Sequence, residues 1–247
     1  MHYTRRDLER HLAEEHKQSP FAQYLKEIVY GGNDGIVTTF AVVAGFAGAG
    51  ASVQLGELGY LTVLLFGLAN LFADGASMGL GNFLAVRADQ DQYRQHKLQE
   101  MHEIKHNPEM EKAESIELLY QRGFTKEQAH QLVDIYSTNK EYWVDFMMRY
   151  ELDMQNPEGE NPWLNSIATF LSFVAFGSIP LLPFIITSGY GNTFLYAIIA
   201  TASALLLLGF LRWKVTKESM VRSIGEILLV GGTSAAIAFF IGTFFRV

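Results

Sequence analysis

Long uncharged runs separated by short charged ones set the pattern of this chain. Residues 36–53, IVTTFAVVAGFAGAGASV, carry no charge and become long enough to cross a bilayer once the preceding GGNDG turn is counted. Residues 58–86 hold Asp74 as their only formal charge, and this run exceeds the roughly 20 residues that a spanning helix needs. Residues 161–211 contain no charged residue at all. At about 1.5 Å per residue, one helix of that length would far overshoot a hydrocarbon core of about 30 Å. SGYGN at 188–192 is the expected break, giving spans over 164–187 and 193–211, and Pro180 and Pro183 should kink or locally open the first of them. The last run, ILLVGGTSAAIAFFIGTFF, covers 227–245. The pattern predicts an all-α, multi-pass membrane protein with five transmembrane helices. Ala41, Gly45 and Ala49 in the first span, and Gly75 and Gly79 in the second, recur every four residues and predict faces on which another helix approaches closely.

Between the second and third spans the pattern turns polar. The residues after 86 continue in helical register without Gly or Pro, so the second span is expected to run into water as one long helix. It should stop near HNP, where Asn107 can cap the next helix and Pro108 suits its first position. Gly123 reads as the residue that ends that helix, Thr125 with Gln128 as a capping box that opens another, and STN at 137–139 as the separator before KEYWVDFMMRYELDM. Ahead of the first span, residues 1–30 read as a charged, partly helical arm whose YLKEIVY stretch forms an amphipathic helix at the membrane surface. The expected organisation is therefore an arm over 1–30, spans one and two over 31–86, a helical cytoplasmic insert over 87–160, and spans three to five over 161–247.

Charge sharpens this division. Residues 87–160 hold sixteen of the 26 acidic groups and nine of the 19 basic ones, so the whole formal charge of −7 resides in the insert. That argues for cations as partners and against nucleic acid. Basic residues precede span one (Arg5, Arg6, Arg10, Lys17, Lys26), occupy the insert, and lie between spans four and five (Arg212, Lys214, Lys217, Arg222), whereas 54–57 and 188–192 have none. With five spans, this bias puts the N-terminus and insert in the cytoplasm and the C-terminus on the far side. No Cys is present, so disulfides and thiolate metal sites are excluded. No cleavable signal peptide is expected from the charged first twenty residues. Phosphate-binding loops, nucleophile elbows and two-His zinc helices are missing, which removes the parts of an ATP-driven pump or a hydrolase.

The remaining polar groups suggest metal chemistry. Asn70, Asp74 and Met78 fall at i, i+4 and i+8, so an amide, a carboxylate and a thioether share one face of span two. No intramembrane Lys or Arg is available to pair with Asp74, and a carboxylate at that depth beside a thioether fits a passing cation of intermediate softness. Asp34, in GGNDG, reads either as a second such ligand or as an N-cap. In the insert, Glu100 with Glu103, Glu111 with Glu114, and Met147, Met148 and Glu151 form three one-sided sets that could converge on a small volume. The competing reading is that the glutamates line solvated helix faces and the methionines pack a core. Glu103 to His106 and Glu127 to His130 both have the Glu-x-x-His spacing of di-iron bundles. That pattern makes a membrane-anchored di-iron oxidase the enzymatic alternative.

Together, NDGIVTTFAVVAGFAGA, ASMGLGNFLA, the acidic insert ending WVDFMMRYEL, and SIPLLPF resemble the vacuolar iron transporter family, which includes the yeast calcium-cross-complementing iron carrier and plant nodulin-like relatives. The resemblance runs from about residue 25 to near the end. It implies a homodimer of five-span subunits that exchanges protons for Fe²⁺, and often Mn²⁺, moved out of the cytosol between the subunits. No cofactor beyond the transported ion is implied. By resemblance, Asp34 and Met78 match the family's Asp and Met in spans one and two. Glu100, Glu103, Glu111, Glu114, Met147, Met148 and Glu151 match the ligands of its cytoplasmic metal-binding domain. The family's Glu eight residues before the span-two Met is here Asn70, and Asp74 is the candidate replacement. The expected function is proton-coupled export of a divalent transition metal, with metal sensing or storage without transport as a further alternative. A vacuolar and a bacterial inner membrane would suit the pattern equally.

Overall fold

A computed structural model describes residues 4–15, 20–49, 57–187 and 192–244. The described residues form helices joined by short turns, with no strand among them. In order come α1 (Arg5–Glu15), α2 (Pro20–Gln23), α3 (Leu25–Gly48), α4 (Glu57–His106), α5 (Pro108–Gln121), α6 (Lys126–Tyr136) and α7 (Lys140–Tyr150). After a short 3₁₀ turn at Pro157–Gly159 follow α8 (Pro162–Gly177), a second 3₁₀ turn at Ile179–Leu181, α9 (Leu182–Thr187), α10 (Thr193–Thr216) and α11 (Met220–Phe244). Residues 50–53 of the first predicted span, the links at 54–56 and 188–191, and residue 245 of the last span lie outside the described residues.

The chain forms two compact units, Met1–Asn82 with Trp163–Val247, and Phe83–Pro162. In the first, α3 packs on α10 and α11. Its interior is built from Phe40, Val43, Ala44, Val63, Leu181, Phe184 and Ala197, with a second cluster of Ile36, Ala204, Leu205, Leu208 and Ile227. The outward faces remain apolar: Val221, Ile186, Leu229, Leu65 and Phe240 are all largely exposed. An apolar exterior over a close-packed interior is the arrangement that lipid, not water, stabilises. Four helical segments among the described residues are long and apolar enough to cross a membrane: Leu58–His106, Pro162–Thr187, Thr193–Thr216 and Met220–Phe244.

The first predicted span is the apolar half of α3, and it differs from expectation. YLKEIVY and the following segment were predicted to be a surface helix, a turn and then a span, but α3 runs unbroken through GGNDG. Two or more glycines inside a helix cost about 1 kcal/mol each by propensity. Packing overrides this, because a Cβ on Gly31 would lie 2.7 Å from the Thr169 carbonyl oxygen and one on Gly35 would lie 2.3 Å from that of Phe173. The glycines are there to let α8 approach. Of the predicted stripe Ala41, Gly45 and Ala49, Gly45 is where α11 comes close, because a Cβ on Gly242 would lie against the Gly45 carbonyl and Cα, and the buried small residues are Ala44 and Gly48. A Cβ on Gly45 itself would meet nothing within 4 Å. Gly75 and Gly79 do face α8, against Phe170, Phe173 and Ser166.

The prolines act as predicted: the helix from Pro162 stops at Gly177, tightens to 3₁₀ around Pro180 and resumes at Leu182. Helices α10 and α11 outrun their predicted spans, to Thr216 and from Met220. Their extended ends are joined by Arg212 and Glu226, 2.8 Å apart.

In the second unit, α4 continues to His106 without a break, a single helix of 50 residues. The Gly123 stop is a Schellman arrangement: Gly123 has φ +97°, its N–H donates to Tyr120, and the Phe124 N–H donates to Leu119. Thr125 and Gln128 form the predicted capping box, and Asn139 accepts from the Tyr142 N–H to start α7. Asn107 occupies its predicted N-cap position but does not cap, because its side chain instead donates to Glu103 Oε2 at 2.9 Å. The core of this unit joins Tyr93 and Ile104 of α4, Leu119 of α5, Ala129 and Val133 of α6, and Trp143, Val144, Phe146, Met147 and Met148 of α7.

Candidate functional site

The second unit brings three helices together at a carboxylate cluster. Oxygens of Glu100 (α4), Glu111 (α5) and Glu151 (the C-cap of α7) all lie within 4.8 Å of one another. Glu100 and Glu111 are only 6% and 5% exposed. Burial pushes both carboxyls up to about 7, helped by repulsion from Glu103, Glu114 and Glu151. Glu151, more exposed, is raised by its partial burial and by Glu114. Among the described residues, the charges that act on Glu100 and Glu111 are all carboxylates. One oxygen of each, Glu100 Oε2 and Glu111 Oε2, is shut away from solvent without a hydrogen-bond partner. Buried polar atoms are nearly always paired, so two such orphans beside a third carboxylate mark a place for a proton or a multivalent cation.

The other insert residues take distinct places. Glu114 and Glu103 are half-buried and act on the cluster through their charge. Glu103 also holds the Asn107 amide. Met147 and Met148 are fully buried members of the hydrophobic core. Met147 is one helical turn before Glu151, and its sulfur accepts from Ser115 Oγ at 3.1 Å. Ser115 is one turn after Glu111 and itself accepts from Trp143 Nε1 at 2.8 Å. Because an indole N–H can only donate, the serine proton is directed to the thioether. The sulfur is thereby fixed one turn away from the carboxylates on both α5 and α7. Neither Ser115 nor Trp143 was singled out in the sequence. The four-residue spacings Glu111 to Ser115 and Trp143 to Met147 were visible, but their pairing across two helices was not.

In the first unit, Asn70, Asp74 and Met78 are all half-buried beside the buried row of Leu71, Gly75 and Gly79. Asp34 is half-buried in mid-α3, so it is not the helix N-cap that its position after GGN allowed. Its carboxylate lies within electrostatic reach of Asp74. The backbone carbonyl of Asp34 accepts from the Thr38 hydroxyl at 2.8 Å. Next to it, Asn33 Oδ1 is enclosed without a partner.

The four di-iron candidates are not assembled. His106 stacks on His102 with ring centroids 3.9 Å apart, and its Nδ1 lies 2.8 Å from the His102 carbonyl oxygen. Glu127 is held at its own helix start by a backbone N–H and the Thr125 hydroxyl, which keep its carboxyl below the usual range. Among the described residues the one tight group of three ligating side chains is Glu100, Glu111 and Glu151.

Apolar spans combined with a buried carboxylate cluster define a class: an integral membrane protein carrying a site of hard oxygen ligands. Within that class, the chain belongs to the VIT family, whose profile matches residues 25–243. It is 31% identical over 230 residues to vacuolar iron transporter 1 of Arabidopsis thaliana, covering 92% of this chain and 89% of that protein. It is 34% identical over 249 residues to the vacuolar iron transporter of Toxoplasma gondii, covering 96% and 80% respectively. Vacuolar iron transporter 2 of Oryza sativa subsp. japonica is 31% identical, with 94% and 92% covered.

Proposed function

We propose that this protein is a secondary transporter that moves Fe²⁺, and with it Mn²⁺, out of the cytosol in exchange for protons. The supporting observation is the pair of unpartnered oxygens on Glu100 and Glu111 beside Glu151. Iron as cargo is supported by the relatives' names. On this reading α3 is a fifth span, the subunits pair as a homodimer, and the Lys/Arg bias keeps the N-terminus and insert cytoplasmic. The membrane is vacuolar or a bacterial inner membrane.

The chemistry follows from competition between protons and metal for the same oxygens. At cytosolic pH the Glu100 and Glu111 carboxyls, titrating near 7, are partly ionised, and a divalent cation completes their ionisation and ends their mutual repulsion. The cluster thus collects the ion from the cytosol. Asp34, Asp74 and Met78 receive it within the spans. The amide of Asn70 adds a neutral oxygen where the family carries a carboxylate, so Asp74 supplies the second negative charge. Protons arriving from the far side compete for Asp34 and Asp74 and release the metal.

Uptake of Fe²⁺ into proteoliposomes under an imposed pH gradient tests this reading. Asp74→Asn and Met78→Ala should each reduce the rate by at least about tenfold, the size of effect seen when a metal site loses a supporting group. Normal transport by both would remove the intramembrane site. Binding by wild type with no flux would make the protein a metal-binding sensor or store.

A further inference from the structure

At one end of the first unit, α3, α10 and α11 enclose an open cleft of about 600 Å³ whose lining includes Lys26, Val29, Asn33, Arg212, Ile227 and Val230. Its walls are mainly aliphatic and its rim is charged. Arg212 and Arg222 both bind the Glu226 carboxylate, at 2.8 and 2.9 Å, and Glu218 also acts on Arg222, so with Lys26 of the lining the three cations exceed these two carboxylates by one charge. Close by in the chain, Lys214 and Lys217 follow Arg212, with Trp213 among them. Cations and an indole collected where apolar helices end are the composition of a membrane's headgroup layer, and basic clefts between spans there select acidic headgroups.

We propose that this cleft is a binding site for an anionic glycerophospholipid. Its phosphodiester sits between Lys26 and Arg212, and an acyl chain lies along Val29, Ile227 and Val230. A zwitterionic lipid fits the same walls but brings its own ammonium against the two cations. Selection is therefore for net negative charge. The site rests on the chain being membrane-embedded and is independent of the metal it carries. Since Asn33 in the wall immediately precedes Asp34, an occupied cleft also braces the segment of α3 that presents that carboxylate.

The test uses the full chain in detergent, with native mass spectrometry after addition of phosphatidylglycerol or phosphatidylcholine. Wild type should retain phosphatidylglycerol preferentially. One surface cation contributes about fivefold in affinity, so Lys26→Gln with Arg212→Gln should weaken retention by about 25-fold and abolish the preference. Val230→Trp, which fills the cleft and keeps every charge, should also lose the lipid. This second variant guards against misfolding of the first, because Val230 is half exposed and tolerates bulk. Equal retention of the two lipids by wild type would overturn the proposal, as would unchanged retention by either variant. Efficient disulfide cross-linking of Val29→Cys between subunits would also overturn it, because a second copy would then occupy the cleft. Proteoliposome flux distinguishes the two readings: equal retention of the two lipids by wild type that still transports Fe²⁺ refutes this site alone.

Discussion

At the scale of single residues, burial raises the Glu100 and Glu111 carboxyls instead of lowering them. Glu100 and Glu111 titrate near 7 in the fold and near 4.5 when exposed. The folded state therefore holds protons that the unfolded state has released, and their contribution to stability is present below pH 4.5 and lost as pH rises through 7. Without metal, the melting temperature of the protein should fall between pH 5 and pH 8. Glu111→Gln should flatten that fall and raise the midpoint at pH 8 by about 2–4 °C, the equivalent of about 1 kcal/mol in a chain of this length. The same variant should bind Fe²⁺ at least about tenfold more weakly at pH 8, as read by anaerobic calorimetry. A melting temperature that rises from pH 5 to pH 8 would show that the carboxyls are not held in this way.

Ser115 offers a second residue-scale test. Ser115→Ala leaves the buried Trp143 N–H without its acceptor, which costs about 1–3 kcal/mol. Loss of stability should come with a changed indole emission, whereas an unaltered spectrum would contradict the relay from Trp143 to Met147. Nothing in the sequence pointed to this serine, because a hydrogen bond between side chains 28 residues apart has no periodic signature.

At the scale of helices, much was legible, and the misses share a cause. Gly123, Thr125 and Asn139 act locally, through the backbone of their own turn, so their signals could be read in isolation. GGNDG could not, because its glycines serve α8 and not the turn they appear to encode. Similarly, the sequence marked Glu100, Glu103, Glu111 and Glu114 as equals. Only the packing of α4, α5 and α7 separates the two buried ones from the two half-buried ones. The α3 to α11 contact gives a matched pair of variants. A Cβ on Gly242 would lie 2.3 Å from the Gly45 carbonyl oxygen, whereas one on Gly45 would lie in open space. Gly242→Ala should cost about 1–3 kcal/mol, and Gly45→Ala should be neutral or slightly stabilising in thermal unfolding in detergent. Equal costs would mean that the two helices do not cross there.

At the scale of the whole molecule, the proposed exchange needs two sets of ligands in different solvents. On that proposal the Phe83–Pro162 unit faces water, and the titration of Glu100 and Glu111 near 7 would make their metal binding sensitive to small pH changes. With α3 as the proposed fifth span, the spans carry Asp34, Asp74 and Met78, and no basic residue occurs between residues 27 and 86. A divalent cation or protons must therefore compensate the two charges. This alternation is the physical basis of the proposed exchange. The most direct test reports the luminal pH of proteoliposomes with a trapped dye while Fe²⁺ is added to the cytoplasmic face. Inward movement of Fe²⁺ should raise the luminal pH as protons leave, and Asp74→Asn should slow both signals by at least about tenfold. Fe²⁺ accumulation with no change in luminal pH would contradict proton exchange.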